Sequence, residues 1–220
     1  MTTAILIPAR LNSSRFPEKM LAMLNEKPLI RYVYDKCAAT GIDTYVLTDS
    51  KKIASIVPNA ILTDDAANGT ERCMQVIDDS LQYDRYINVQ GDMPDITEDI
   101  IRSVEEVLKT HADVATAYTL MNDDDRSNPN SVKLIHSRGR AHWFCRSSLL
   151  YGDHHLGVYG YNREAKIMYT SSTKFPEEDL EQLEQLRWIQ NGVKIGLAEV
   201  EFNGIEINTL EDLELWQTKN

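Results

Sequence analysis

The sequence predicts an α/β fold, built as a doubly wound, mostly parallel sheet with a smaller lobe of mixed strands and helices. Three observations carry this. Short apolar runs alternate with helical patterns through the first 120 or so residues, the signature of a parallel sheet with crossover helices. The first apolar run, Ala4-Ile5-Leu6-Ile7, passes directly into a loop rich in cations and small polar residues. Beyond Asn122 the chain changes character, to strand-like segments that carry aromatic residues.

Ala4–Pro8 reads as the first strand. Leu29–Ala39 reads as a helix stopped by Gly41. Thr44–Thr48 is a strand ending at Asp49-Ser50, Lys52–Ile56 a short helix, and Ala60–Thr63 a brief strand. Thr70–Ser80 is expected to be helical, with Glu71 in the first turn where a negative charge favours the helix dipole. Tyr86–Gln90 is a strand closed by Gly91-Asp92, and Thr97–Leu108 a helix capped by Thr97. Val114–Leu120 is a strand. The acidic run Asp123–Asp125 reads as a surface loop, with a metal site as the weaker alternative, and residues 122–130 as a hinge. Val132–His136, Ala141–Arg146, Leu156–Tyr161 and Ile195–Val200 are strand-like. Leu180, Leu183, Leu186 and Ile189 follow helical spacing and predict one helix over Glu178–Asn191, ended by Gly192. A last helix, Leu210–Gln217, follows Thr209 as its N-cap. The expected organisation is one domain: a core over 1–121, a smaller lobe over 122–200, and a returning strand and helix over 201–220.

Composition narrows the function. The chain has 220 residues, 42% of them hydrophobic, enough for a real core. A formal net charge of -11 argues against a general nucleic-acid binder, which needs broad cationic surface. An acidic body with cations gathered at one place suits a small anionic ligand. A triphosphate bound there calls for a divalent metal to offset charge. Cys37, Cys73 and Cys145 are odd in number and lack metal spacing, so reduced, packed thiols in a cytoplasmic protein are expected. No signal peptide or membrane-length apolar run is apparent.

The loop after the first strand, Pro8-Ala9-Arg10-Leu11-Asn12-Ser13-Ser14-Arg15-Phe16-Pro17-Glu18-Lys19, holds three cations within ten residues. Such a loop at the head of a parallel sheet is where α/β proteins hold phosphates. Arginine offers oxygens a planar fork and lysine a compact charge. A solvated basic turn is the plain alternative. Asp92 falls just beyond a strand's carboxyl end, where ligands gather in open sheets, and is a hard oxygen ligand for Mg²⁺. A turn aspartate is the plain alternative. Gln90 is as well suited to a sheet-end hydrogen bond as to a sugar or ribose.

Several blocks in order resemble one family. They are residues 7–19, Asn68-Gly69-Thr70-Glu71-Arg72, Asn88-Val89-Gln90-Gly91-Asp92-Met93-Pro94, Asn128-Pro129-Asn130-Ser131-Val132-Lys133, His155-Leu156-Gly157-Val158-Tyr159-Gly160-Tyr161 and Leu183-Glu184-Gln185-Leu186-Arg187. The opening block is common to several sugar nucleotidyltransferases. The whole set resembles the 3-deoxy-manno-octulosonate cytidylyltransferase (CMP-Kdo synthetase) family.

The resemblance implies the nucleotide-diphospho-sugar transferase type of fold. It also implies a reaction in which CTP and a 2-keto-3-deoxy sugar acid give a CMP-sugar and pyrophosphate, with Mg²⁺, in a cytoplasmic homodimer serving lipopolysaccharide biosynthesis. Arg10, Arg15, Lys19 and Asp92 then carry catalysis. Ala9, Arg10, Ser13, Lys19, Asn68, Gly69, Arg72 and Gln90 face the nucleotide. Gln90, Arg146, His155, Tyr159, Glu184 and Gln185 face the sugar. Asp92 binds metal.

His155 and Tyr159 alternate onto one strand face, which lets both point into a cleft. A core histidine, a surface salt bridge at Arg146 and plain helix exposure at Glu184 and Gln185 are the structural alternatives.

The chain departs from the family in four places. Asn208 stands where the family has a second metal aspartate, with Glu206 two residues earlier as a substitute carboxylate. Met93 stands where the family often has glutamate, and Glu18 where it usually has glycine. The stretch 146–157 is shorter than the family's. These departures leave open another acidic or amino sugar as substrate, or a nucleotide-binding relative without catalysis.

Overall fold

The computed structural model describes residues 1–13, 16–110 and 112–219. The chain divides into two compact units, Met1–Glu98 with Asn203–Asn220, and Asp99–Phe202. The division therefore falls after Glu98 and Phe202, where the sequence suggested residues 121 and 200.

The first unit begins with β1 (Thr3–Ala9), whose continuous apolar run is buried, as a strand covered on both faces requires. A single 3-10 turn, Lys19–Leu21, and a small hairpin of β2 (Met23–Leu24) and β3 (Lys27–Pro28) lead into α1 (Leu29–Ala38). There follow β4 (Asp43–Thr48), α2 (Lys51–Ala54), β5 (Ala60–Leu62), α3 (Gly69–Met74) and β6 (Arg85–Val89). These strands lie in the order β5-β4-β1-β6, and every pairing among them is parallel. The chain steps outward from β1 through β4 to β5, then returns on the other side of β1 as β6. The carboxyl ends of β1 and β6 therefore flank a topological switch point, where the connections diverge and leave a crevice.

The helix expected over Thr70–Ser80 is a correction. It stops at Met74, where the bonds tighten to Gln75 N–H on the Arg72 carbonyl and Val76 N–H on the Cys73 carbonyl; Asp78, at φ +65, then turns the chain, and the N–H groups of Ser80 and Leu81 both turn back to the carbonyl of Val76. Aspartate tolerates that left-handed geometry better than most residues.

The second unit contains α4 (Glu98–Thr110), β7 (Val114–Thr119), α5 (Asp123–Ser127), β8 (Lys133–Ser137), β9 (Arg140–Cys145), β10 (Asp153–Asn162), α6 (Ala165–Ser171), α7 (Pro176–Glu181), α8 (Gln185–Gln190) and β11 (Ile195–Glu199). Its strands run β10-β7-β11-β9-β8, and β8 also pairs with β10. Only the β7–β11 pairing is parallel, so this unit is the mixed one.

Two expectations are overturned here. Asp123–Asp125 form the first turn of α5, capped by the Asn122 side chain, rather than a loop. The single helix expected over Glu178–Asn191 is two helices, broken where Gln182 takes φ +54. Leu180, counted toward the apolar stripe, is exposed. The two pieces are held by Arg187, which donates to both carboxylate oxygens of buried Glu178 at 2.8 and 2.6 Å and lies 4.2 Å over the Tyr169 ring.

The chain ends in the first unit with α9 (Leu210–Lys219). Thr209 caps it through the N–H of Asp212, and the Asp212 carboxylate in return accepts from the N–H groups of Asn208 and Thr209, each at 2.8 Å.

Candidate functional site

The loop that leaves β1 opens at the switch point. Arg10, Asn12, Ser13, Pro17 and Glu18 line a concavity of about 410 Å³ beside it. Arg15 lies outside the described residues. Glu18, where the resembling family usually has glycine, sits at φ +52, and its carboxylate is held by Lys52 at 2.9 Å. The left-handed backbone explains the glycine, since a Cβ there is strained.

That turn delivers Lys19 inward. The Lys19 side chain is only 10% exposed, and its Nζ donates to Asp92 Oδ2 at 2.6 Å. Asp92 follows β6 by way of Gln90 and Gly91. A Cβ on Gly91 would fall 2.8 Å from the Met20 sulfur, so the backbone passes close to the Lys19 turn and a side chain there would push Met20 aside. The sequence reading gave Lys19 to phosphates and Asp92 to a metal ion; in the fold the two side chains, 73 residues apart, form an ion pair.

The C-terminal stretch reaches the same place. The N–H of Ile207 donates to the Asp92 carbonyl at 2.9 Å. Ile207 is buried, and Glu206 and Asn208 flank it in the chain. Sequence reasoning missed the residue that fixes this stretch. Asp95 accepts from the Ile205 N–H through Oδ2 and from the Trp216 indole N–H through Oδ1, both at 2.9 Å. Among the described residues no three His, Cys, Asp or Glu side chains gather as a metal site.

Asn68, Gly69 and Gln90 adjoin the crevice. Asn68 caps α3, accepting from the Glu71 N–H at 2.8 Å. A Cβ on Gly69 would meet Pro8 at 3.1 Å and the Gln90 amide at 3.2 Å, so this helix start packs tightly on the ends of β1 and β6. Gln90 donates to the Asn88 side chain at 3.3 Å. Arg72, expected on the nucleotide, is 2% exposed and turned into the fold. Its guanidinium binds Asp49 at 2.7 Å, the Thr63 hydroxyl and the Asp64 carbonyl, and so ties the loops after β4 and β5 to α3.

In the second unit, Arg146 is also turned toward the chain. It donates to the carbonyls of Pro129, Asn130 and Glu181, while its own N–H binds the Glu181 carboxylate at 2.7 Å. Lys133, which the sequence left without a role, is fully buried beside it and donates to the carbonyls of Asn128, Ser131 and Arg146. Burial holds its ammonium below the usual lysine range. Two cations thus grip four consecutive carbonyls of the Asn128–Ser131 turn.

His155 and Tyr159 do share a face, but a bulge brings them together. Residues 157 and 158 are extra in the pairing with β7, and the two rings lie 5.3 Å apart, far closer than four residues of regular strand allow. His155 is 5% exposed, and burial pushes its pKa down to about 3, so the ring is neutral. The Thr116 hydroxyl gives its proton to the Val158 carbonyl at 2.7 Å. His155 Nε2, 2.9 Å from that hydroxyl, therefore carries the ring proton and donates it, leaving Nδ1 as an acceptor. Glu184 and Gln185 stand at the start of α8, half-buried and buried respectively, not midway along a long helix.

Comparison with known proteins gives the family and the fold. Residues 4–195 match the cytidylyltransferase family. The chain is 35% identical to 3-deoxy-manno-octulosonate cytidylyltransferase of Fusobacterium nucleatum, over 95% of this chain and 93% of that one. It is 36% identical to the Brucella anthropi protein of the same name, over 97% and 94%. A solved CMP:2-keto-3-deoxy-manno-octonic acid synthetase complexed with CTP superposes with a TM-score of 0.92 at 30% identity, covering 100% of this chain and 98% of that one. A putative glucose-1-phosphate thymidylyltransferase from Bacillus anthracis, at TM-score 0.72 and 14% identity over 99% and 95% of the two chains, shares the fold. Among the described residues no helix is long and apolar enough to cross a membrane. A cation-bearing loop and a strand-end aspartate joined at the switch point of a parallel sheet, in a chain matched nearly end to end by these enzymes, make this protein a nucleotidyltransferase belonging to the 3-deoxy-manno-octulosonate cytidylyltransferase family.

Proposed function

We propose that the enzyme joins CTP to 3-deoxy-manno-octulosonate (Kdo), or a close 2-keto-3-deoxy sugar acid, giving the CMP-sugar and pyrophosphate. The observation that supports this reading is the Lys19–Asp92 pair at the switch point, 2.6 Å long, which sets a cation suited to phosphate against a carboxylate suited to a metal ion.

Transfer of the cytidylyl group is mainly a matter of position and charge. The sugar's anomeric hydroxyl attacks the α-phosphorus in line. A new P–O bond forms as the bond to pyrophosphate breaks, and the hydroxyl proton passes to solvent water. Arg10, Arg15 and Lys19 stabilise charge on the α-phosphate and the departing pyrophosphate. Ala9, Ser13, Asn68, Gly69 and Gln90 shape the nucleotide site, and Arg72 holds its floor. Neutral His155 offers Nδ1 to a sugar hydroxyl. Tyr159, Gln90, Glu184 and Gln185 orient the rest of the sugar, and Arg146 steadies the turn beside its carboxylate. The donors present suit Mg²⁺: the carboxylates of Asp92 and Glu206 and the amide oxygen of Asn208 are hard oxygens, and Mg²⁺ binds through one or two carboxylates with phosphates and water completing its shell. When bound, the ion neutralises triphosphate charge.

Pyrophosphate release with CTP and Kdo tests the reading. Release from the native enzyme, abolished in Asp92→Ala, is the expected result. CTP binding without release, across a panel of acidic and amino sugars, would favour the second reading, a nucleotide-binding relative, which the exchange of an aspartate for Asn208 supports. The family reading also implies a cytoplasmic homodimer, and sedimentation at monomer mass would contradict the dimer.

A further inference from the structure

The geometry points to Asp95 as a positioning residue that sets the C-terminal ligand stretch against Asp92. The inference rests on the proposed metal site. Asp95 touches neither a substrate nor a metal donor. Its two oxygens take two donors from different parts of the chain: the backbone N–H of Ile205 and the indole N–H of Trp216, each at 2.9 Å.

Both ends of that bridge matter. Ile205 is one residue before Glu206, and two residues further Ile207 donates to the Asp92 carbonyl. Trp216 is fully buried in α9 and meets the Tyr32 ring of α1 edge-on at 5.3 Å, so it is a fixed point of the first unit. The turn that carries Asp95 is closed by bonds from Met93 N–H to the Gln90 carbonyl and from Ile96 N–H to the Met93 carbonyl. Asp92 and Asp95 thus ride on one closed turn and grip the same stretch at alternate residues, 207 and 205.

Beyond Ile207 the stretch is held again, by the Asp212 carboxylate on the N–H groups of Asn208 and Thr209. Glu206 and Asn208 are therefore bracketed between tethers. Asn208 is a neutral and weaker donor than aspartate, which leaves the site dependent on how well its remaining oxygens are placed.

The carboxylate is needed because both partners are donors. An asparagine at position 95 can accept only one of the two bonds and turns its NH₂ group against the other donor. Removing the indole donor should relieve that conflict.

The test is Mn²⁺ binding to the full-length protein with CTP and no sugar acid, followed by the electron paramagnetic resonance of free Mn²⁺, with melting temperature recorded for every variant. Asp92→Asn serves as the reference for loss of a ligand. Asp95→Asn is expected to weaken Mn²⁺ binding by about 10-fold, the lower end of the effect of removing a group that orients metal ligands. Trp216→Phe alone should stay within about twofold of the native protein, and Asp95→Asn with Trp216→Phe should return to about that level, a coupling expected only of residues in contact. Native Mn²⁺ affinity in folded Asp95→Asn, with binding lost in Asp92→Asn, would overturn the role given to Asp95. Native affinity in Asp92→Asn as well would remove the metal site itself and this inference with it. Should Asp95→Asn fail to fold, the double variant carries the test, and weak Mn²⁺ binding there in a folded protein would count against the proposal.

Discussion

At the scale of single residues, the site is set by pairs whose members restrain one another. Lys19 and Asp92 neutralise each other while no ligand is bound, so a metal approaching Asp92 alone competes with a cation 2.6 Å away. Lys19→Met should therefore have two opposite effects. Mn²⁺ should bind the nucleotide-free variant more tightly than the native protein, while turnover falls at least about 10-fold, the scale of 1.4 kcal/mol in barrier. Unchanged Mn²⁺ affinity by titration would contradict the competition.

His155 offers a second test. Its pKa in the fold is about 3, below the ordinary value of 6.5, so the folded protein binds fewer protons than the unfolded chain between those limits. The stability this histidine contributes is whole above pH 6.5 and declines as pH falls through the window, by up to about 1.4 kcal/mol per pH unit. His155→Gln should show a shallower loss of stability between pH 6 and 4 in urea unfolding. An identical slope in the two proteins would mean that the imidazole is not buried neutral.

At the scale of elements, sequence patterns succeed where the backbone stays ordinary and fail where it does not. β1, α1, β4, β6 and β7 are legible because apolar runs and a glycine stop mark them directly. α7 and α8 were read as one helix because leucine spacing continues through Gln182. The break comes from a left-handed backbone that no glycine advertises. Asp78 turns the chain after α3 in the same way. Gln182→Gly should raise stability by about 0.5–1 kcal/mol, since glycine adopts that conformation without strain. A destabilised variant in thermal unfolding would contradict the broken-helix geometry.

The site was legible to a similar degree. Arg10, Lys19 and Asp92 stand where polar residues follow an apolar run, which is a visible signal. Lys133 left a fainter one, a cation between the apolar Val132 and Leu134. Asp95 left none, because an aspartate after proline looks like any turn, and its two partners lie 110 and 121 residues away.

At the scale of the molecule, the first unit is a four-stranded parallel sheet with its switch point between β1 and β6, and the second is a mixed sheet joined by α4 and α6–α8. The acidic total charge of -11 makes the cations of the loop after β1 a local exception. Of the four departures from the family read in the sequence, the stretch 146–157 and Asn208 are the two from which the choice of sugar acid is expected to follow.

The central claim is that the loop after β1 and the aspartate after β6 hold the nucleotide. A crystal structure of the protein with CTP and Mg²⁺ tests it most directly. The triphosphate should lie against Arg10, Ser13 and Lys19, with the Lys19–Asp92 bond opened and the ion on Asp92. Cytidine and phosphates bound elsewhere, with that bond intact, would contradict the account.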